Sequence, residues 1–190
     1  MKTRVVFIVC MIVFTIAAMA RTAKALDAGE WPHWKRDGGN TSYSPRTRHA
    51  TPSVLWQYPA EGISDGQQGV ILDVSNNVIF FSTDSGKISS MSPAGTNWIT
   101  KIGGNGNWGG ISYGNGRVYG TPYSNTSGVY AVDAPSGAIK WFYPSVAGSD
   151  NVPTIGPDGT IYMLNGGKSL VALYDLGSSY TVKWSRAISG

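Results

Sequence analysis

Residues 131–141 read AVDAPSGAIKW and end on Trp141. Working back from this stretch, Val129, Ala131 and Asp133 alternate with Tyr130 and Val132, the two-residue period of a strand with two distinct faces. Working outward, Trp141 is one of four tryptophans, Trp56, Trp98, Trp141 and Trp184, spaced 42, 43 and 43 residues apart. Their surroundings match: VLWQYP, TNWITK, IKWFYP and VKWSRA. After each of the first three comes a turn and a β-branched or aromatic run, SNNVIFF at 75–81, GNGRVYG at 114–120 and PDGTIYM at 157–163. A second such run follows, GKISSMS at 86–92, SGVYAVD at 127–133 and KSLVALY at 168–174. Asn115-Gly116 and Asp158-Gly159 supply the positive-φ positions of tight hairpins, and Pro157 fixes φ at its corner.

Each unit thus reads as about four short strands, and no segment after the N-terminal leader shows a helical period. Four strands every 42–43 residues is the signature of a β-propeller blade. A sandwich also places turns every 8–12 residues, but has no reason to return a tryptophan at this interval. The expected fold is all-β, a β-propeller of four-stranded antiparallel blades. Its units run 54–96, 97–137 and 138–179, with a partial one at 180–190.

Composition agrees. The 190 residues are 42% hydrophobic, 12% aromatic and only 14% charged, with 25 Gly and 7 Trp; disordered chains and coiled coils need the opposite balance. Lys2 and Arg4 precede a sixteen-residue apolar run, Val5–Ala20, broken only by Thr15. That is short of the ~20 residues of a spanning helix and has the shape of a secretory signal, with cleavage expected after Ala25. Cys10 lies inside the run rather than at its end, so lipidation is not expected, and the mature chain carries no Cys. Removing 1–25 takes away Lys2, Arg4, Arg21 and Lys24 and no acid, leaving 11 basic and 11 acidic residues. The full-length charge of +4 therefore belongs to the leader, and no basic face remains to release counterions from nucleic acid. No membrane span is expected in the mature chain.

The stretch 131–141 resembles the tryptophan-docking motif A-x-D-x-x-[TS]-G-x-x-x-W of PQQ-like repeat propellers, a superfamily that includes the quinoprotein dehydrogenases and an outer-membrane protein-assembly propeller lipoprotein. Ala131, Asp133, Ser136, Gly137 and Trp141 match. The copy ending at Trp98 keeps Gly95 but has Ser92 in the Asp place; the copy ending at Trp184 has two extra residues and Tyr174 there. WPHWKRDGGNTSYSP at 31–45 resembles the entry segment of these propellers, through Trp31, Pro32, Asp37, Thr41, Tyr43, Ser44 and Pro45, with Ser42 where Gly is usual. The resemblance covers 31–190, with 26–53 as entry segment. It implies that each Trp ring is held between an Ala and a Gly peptide of neighbouring blades, and that the entry segment helps close the ring. Propellers of this class usually have seven or eight blades. A fragment of a longer protein is therefore the favoured reading, ahead of a half-ring closed by self-association or a small four-bladed ring.

Candidate chemistry is sparse. The quinoprotein branch holds PQQ with calcium, a catalytic Asp and often a disulfide, and neither the cysteines nor a calcium-loop spacing is present; DVSNN at 73–77 and DGGNTS at 37–42 read as turns. GNGNWG at 104–109 fits G-x-G-x-x-G but precedes a strand rather than a helix, and STDSGK at 82–87 reads as a structural hairpin. His33 and His49 have no ligand cluster, and GISDG at 62–66 and GISYG at 110–114, which match G-x-S-x-G literally, lead into no helical period as a nucleophile elbow requires. Asn40-Thr41-Ser42 and Asn125-Thr126-Ser127 are sequons by pattern. Trp108, Tyr113 and Tyr123 fall near loops, where exposed aromatics bind peptide or sugar and buried ones fill seams. No catalytic residue, cofactor or metal site is assigned. The expected role is an exported, non-catalytic scaffold that binds protein partners or itself. The alternatives are a fragment of a PQQ-dependent dehydrogenase and an extracellular carbohydrate-binding propeller.

Overall fold

The computed structural model describes residues 53–54, 56–57, 70–73, 76, 78–83, 85–103, 110–122, 127–145 and 152–188. The expected signal at 1–25 and, but for Ser53, the entry segment at 26–53 lie outside the described residues. Twelve strands follow in order: β1 (Ile71–Asp73), β2 (Val78–Thr83), β3 (Lys87–Ser92), β4 (Gly95–Lys101), β5 (Ile111–Gly114), β6 (Arg117–Gly120), β7 (Gly128–Asp133), β8 (Ile139–Pro144), β9 (Thr154–Ile155), β10 (Ile161–Asn165), β11 (Ser169–Asp175) and β12 (Tyr180–Ala187). They form three four-stranded sheets, each ordered as it comes off the chain, β1 to β4, β5 to β8 and β9 to β12, and every pairing is antiparallel. The fold is a partial β-propeller of three blades, with no helix among the described residues.

The hairpins form where the sequence supplies the backbone. Asn115 (φ 55°) and Gly116 (φ 70°) both take the left-handed conformation that joins β5 to β6 through a two-residue turn whose twist matches the strands. The phase of the repeat differs from the sequence reading. The period opens each unit on its tryptophan, whereas the hydrogen-bond ladders close each sheet on it: Trp98 lies on β4, Trp141 on β8 and Trp184 on β12. The strand around Trp184, expected to begin a further blade, completes the third sheet by pairing with β11. Spacing fixes the period of a repeat but not its origin, because the same interval results wherever the unit is cut.

In all three sheets the tryptophan faces a small residue across the last ladder, Ser90 opposite Trp98, Ala131 opposite Trp141 and Ala172 opposite Trp184. Each pair is followed by a β-bulge whose unpaired residue immediately precedes the tryptophan: Asn97, Lys140 and Lys183. An inserted residue bends the strand and changes the direction of its neighbours, so the same device sets each indole.

The core lies between the sheets. One apolar cluster joins Ile71, Phe80 and Ile88 of the first blade to Ile111, Val118 and Val132 of the second. Another joins Tyr119, Val129 and Trp141 of the second to Ile161, Val171 and Leu173 of the third. The short first strands lie side by side, β1 against β5 and β5 against β9, and place the inner edges of the blades together. The up-and-down order gathers the β1–β2, β3–β4, β5–β6, β7–β8, β9–β10 and β11–β12 turns at one end, called the turn end below.

Because a Cβ at Gly116 would meet nothing within 4 Å, replacing it tests the backbone alone. Gly116→Val is expected to lower stability by about 1–2 kcal/mol, the cost of holding an L-residue in that conformation, measured by urea denaturation.

Candidate functional site

The side chains singled out by the sequence meet at the seams between blades, near the turn end. At the first seam, Trp98 leaves β4 and lies on the turn between β7 and β8. A Cβ placed on Gly137 would fall 2.6 Å from the Trp98 ring, so only a glycine, here at φ 72°, lets the ring approach this peptide. The Trp98 indole N–H donates to the Ala134 carbonyl at 2.9 Å, and the Thr100 hydroxyl donates to the Gly137 carbonyl at 2.5 Å. Asp133 and Ser136 shape the turn that offers Gly137. The Ser136 hydroxyl donates to the Asp133 carboxylate at 2.5 Å and the Gly137 N–H to the Asp133 carbonyl at 2.8 Å. That hydroxyl, then Lys140 and Arg117 nearby, holds the Asp133 carboxyl below its ordinary pKa against the opposing effect of burial. Ala131, fully buried, lies opposite Trp141 within its own blade.

The second seam does the same work with a charged set. Trp141, 6% exposed, donates its indole N–H to Asp175 Oδ1 at 3.1 Å, and Tyr119 donates its hydroxyl to Asp175 Oδ2 at 2.7 Å. Arg117 reaches Asp133 at 2.7 Å in its own blade, and the Gly177 carbonyl at 3.3 Å and Asp175 at 4.0 Å in the next. Burial, followed by the hydrogen bond to Asp175, pushes the Tyr119 hydroxyl far above its ordinary pKa. Tyr180 packs 5.3 Å from Trp141 and 5.4 Å from Tyr143. Burial and the neighbouring Tyr180 raise the pKa of Tyr143.

The two seams differ at two equivalent positions, which decides their shape. Phe80 and Tyr119 stand equivalently in β2 and β6, 5.9 and 5.8 Å from their tryptophans. Two residues earlier stands Val78 in one strand and Arg117 in the other, and the group that accepts the indole is Ala134 at the first seam and Asp175 at the second. Where the second seam holds an arginine and a carboxylate, the first leaves a cleft of about 280 Å³ walled by Asp73, Phe80, Asn97, Tyr113 and Ala134. Its acid is engaged: Asp73 accepts from the Asn76 side chain at 2.8 Å and from the Tyr113 hydroxyl at 2.9 Å.

Of the remaining sequence candidates, Trp184 is 36% exposed and Trp56 40%, so neither is seated as Trp141 is. Gly95 opens β4 directly after the β3–β4 turn, at φ 124° with open space at its Cβ position. Tyr113 fills the first seam. The entry residues Trp31, Pro32, Asp37, Thr41, Tyr43, Ser44 and Pro45, both histidines, Trp108 and Tyr123 lie outside the described residues. Sequence reading missed Arg117, Tyr119 and Asp175, having given the Asp place of the third repeat to Tyr174. The available signal was Asp175-Leu176-Gly177: the Gly177 N–H donates to Asp175 Oδ1 at 2.6 Å, the local bond by which Asp shapes a turn. Among the described residues no three of His, Cys, Asp and Glu gather as a metal ion would require.

No family model matches the chain, and no curated protein matches it in sequence. Solved structures do. BamB from Moraxella catarrhalis is 22% identical with a TM-score of 0.59, over 72% of this chain and 40% of that one. A europium-containing methanol dehydrogenase is 16% identical with a TM-score of 0.69, over 86% of this chain and 33% of that one. The quinohemoprotein alcohol dehydrogenase from Comamonas testosteroni is 15% identical with a TM-score of 0.65, over 88% of this chain and 30% of that one. The likeness is one of fold: the three sheets are arranged as propeller blades. The chain spans well under half the length of each.

Asp175→Ala leaves a buried hydroxyl, an indole N–H and the Gly177 N–H without their acceptor. It is expected to cost about 3 kcal/mol or more in chemical denaturation, with Asp175→Asn costing less. A pH effect is expected at the third blade, where the Thr160 hydroxyl, then the Lys183 ammonium, lowers the exposed Asp158 carboxyl to about 2. A lowered folded-state pKa contributes stability above the ordinary carboxylate value and loses it as pH falls toward 2. Asp158→Asn is therefore expected to flatten the acid limb between about pH 4 and 2, read as Tm against pH.

Proposed function

We propose that this chain is an exported, non-catalytic propeller scaffold for protein interaction, and that its docking surface is the outer face of the third blade. One observation carries the reading. Seven of the eight residues of β12 are exposed, among them the apolar Val182 (45%) and Trp184 (36%), and among the described residues this strand pairs on one side only. A strand with a free edge and exposed apolar side chains accepts a partner strand or a partner's apolar surface. The buried acids Asp73 and Asp175 support the same reading, because both are bonded within the blade stack. Export rests on the signal-like leader at 1–25.

Two neighbours are dehydrogenases, and the resemblance implies that such chemistry rests on PQQ with a metal ion. The described residues do not fit such a centre. They gather no acid cluster, and the carboxylate in the first-seam cleft is taken by Asn76 and Tyr113. No catalytic step is derived for them. The carbohydrate alternative draws support from the aromatic and amide walls of that cleft. A glycan array with wild type and Tyr113→Ala tests it.

A photo-crosslinking residue at position 182 is expected to give a discrete protein adduct in the producing cell, and one at Lys101, on the outer strand of the first blade, to give none. Equal adducts at both positions, no adduct at 182, or alcohol oxidation on adding PQQ and calcium would overturn the scaffold reading.

A further inference from the structure

We infer that the seam chemistry used twice within the chain is used again between chains, the Trp184 face of one copy seating on the Ser92–Gly95 turn of a second copy. The inference rests on the scaffold reading and names its partner.

The donor half is already built. Trp184 stands opposite Ala172 beside the same bulge as its counterparts. Its ring lies 5.9 Å from Tyr162, as Trp98 lies 5.9 Å from Phe80 and Trp141 5.8 Å from Tyr119. The aromatic pair that backs each docked indole is thus complete, yet Trp184 is 36% exposed where Trp141 is 6%. The indole N–H groups of Trp98 and Trp141 find acceptors in the following blade; among the described residues that of Trp184 has none.

The receiving half is at the other end of the stack. The turn that receives Trp98 runs Asp133-Ala134-Pro135-Ser136-Gly137, and its counterpart in the first blade is Ser92-Pro93-Ala94-Gly95, again a proline followed by a glycine two residues on. Pro93 and Ala94 are exposed. The position of a Cβ on Gly95 is open, whereas that on Gly137 is filled by the Trp98 ring. Trp56, which the period assigns to this turn, is 40% exposed and so is not seated there as Trp141 is in its own seam.

One copy therefore carries both halves of a contact that its own interior shows to be complementary. The halves are different surfaces, so the contact is heterologous. Copies that satisfy both halves close a ring, and copies whose rotation does not close grow into longer chains. A second copy is the occupant that the geometry supports, because the chain itself displays the glycine turn on which its tryptophans dock.

The test is sedimentation velocity of the purified chain over a hundredfold concentration range. Wild type is expected as a dimer or larger species that falls to one chain on dilution. Trp184→Ala and Ala94→Arg, both at exposed positions, are each expected to weaken association at least tenfold, with circular dichroism unchanged. Mixed together, they are expected to form a heterodimer that grows no further, since one intact tryptophan meets one intact turn. A single-chain mass for wild type at every concentration would overturn the inference, as would association unaffected by both variants. An intramolecular cross-link from position 184 to residues 26–53 would also overturn it. A wild-type monomer that still cross-links to another protein through position 182 would sink this inference alone and leave the scaffold reading standing.

Discussion

A four-stranded blade has two faces and no interior, so everything here depends on the indole rings that the first two blades each lay on the next. Burial of an apolar ring of this size is among the largest single contributions a side chain makes, and at the first seam it is made against bare peptide at Gly137. The apolar clusters follow from this arrangement: both straddle a seam, and neither is contained within one sheet. Stability in such a stack is approximately a sum of nearest-neighbour interfaces. The bulge before each tryptophan therefore matters beyond its own strand, because it sets the direction in which the ring leaves the sheet.

The two seams solve the same polar problem differently. An indole N–H taken from water needs an acceptor. At the first seam a carbonyl, that of Ala134, supplies it without charge. At the second the acceptor is a buried carboxylate, which must itself be balanced. Tyr119, the Gly177 N–H and Arg117 converge on Asp175 for that reason. Breaking such a set is more costly than its net contribution suggests. The simpler seam leaves room beside Val78 and Ala134, and that room is the cleft.

The period of the tryptophans made the blade architecture legible, because a repeat of 42–43 residues with hairpin chemistry admits few folds. The motif at 131–141, intact in its spacing, contains the glycine turn on which Trp98 lies. Two features were not legible. The starting point of the blade is a matter of which strands share a ladder, and spacing carries no trace of it. The part played by Asp175 was hidden because it stands one place beyond the motif's Asp position, beside Tyr174 and at the place that Ala134 holds in the second blade. The polar residue before each tryptophan, Asn97, Lys140 or Lys183, was visible in the sequence, but only the ladder shows that it is a bulge.

The central claim is that the blades are held by seated indoles, and the hydrogen exchange of the Trp98 and Trp141 indole N–H groups, followed by NMR, tests it most directly. If the seams hold the stack, both protons exchange only on global unfolding, with the same protection as the amides of β7 and β11. Rapid exchange of either indole while those amides stay protected would show blades that are stable without their seams, and would contradict the account.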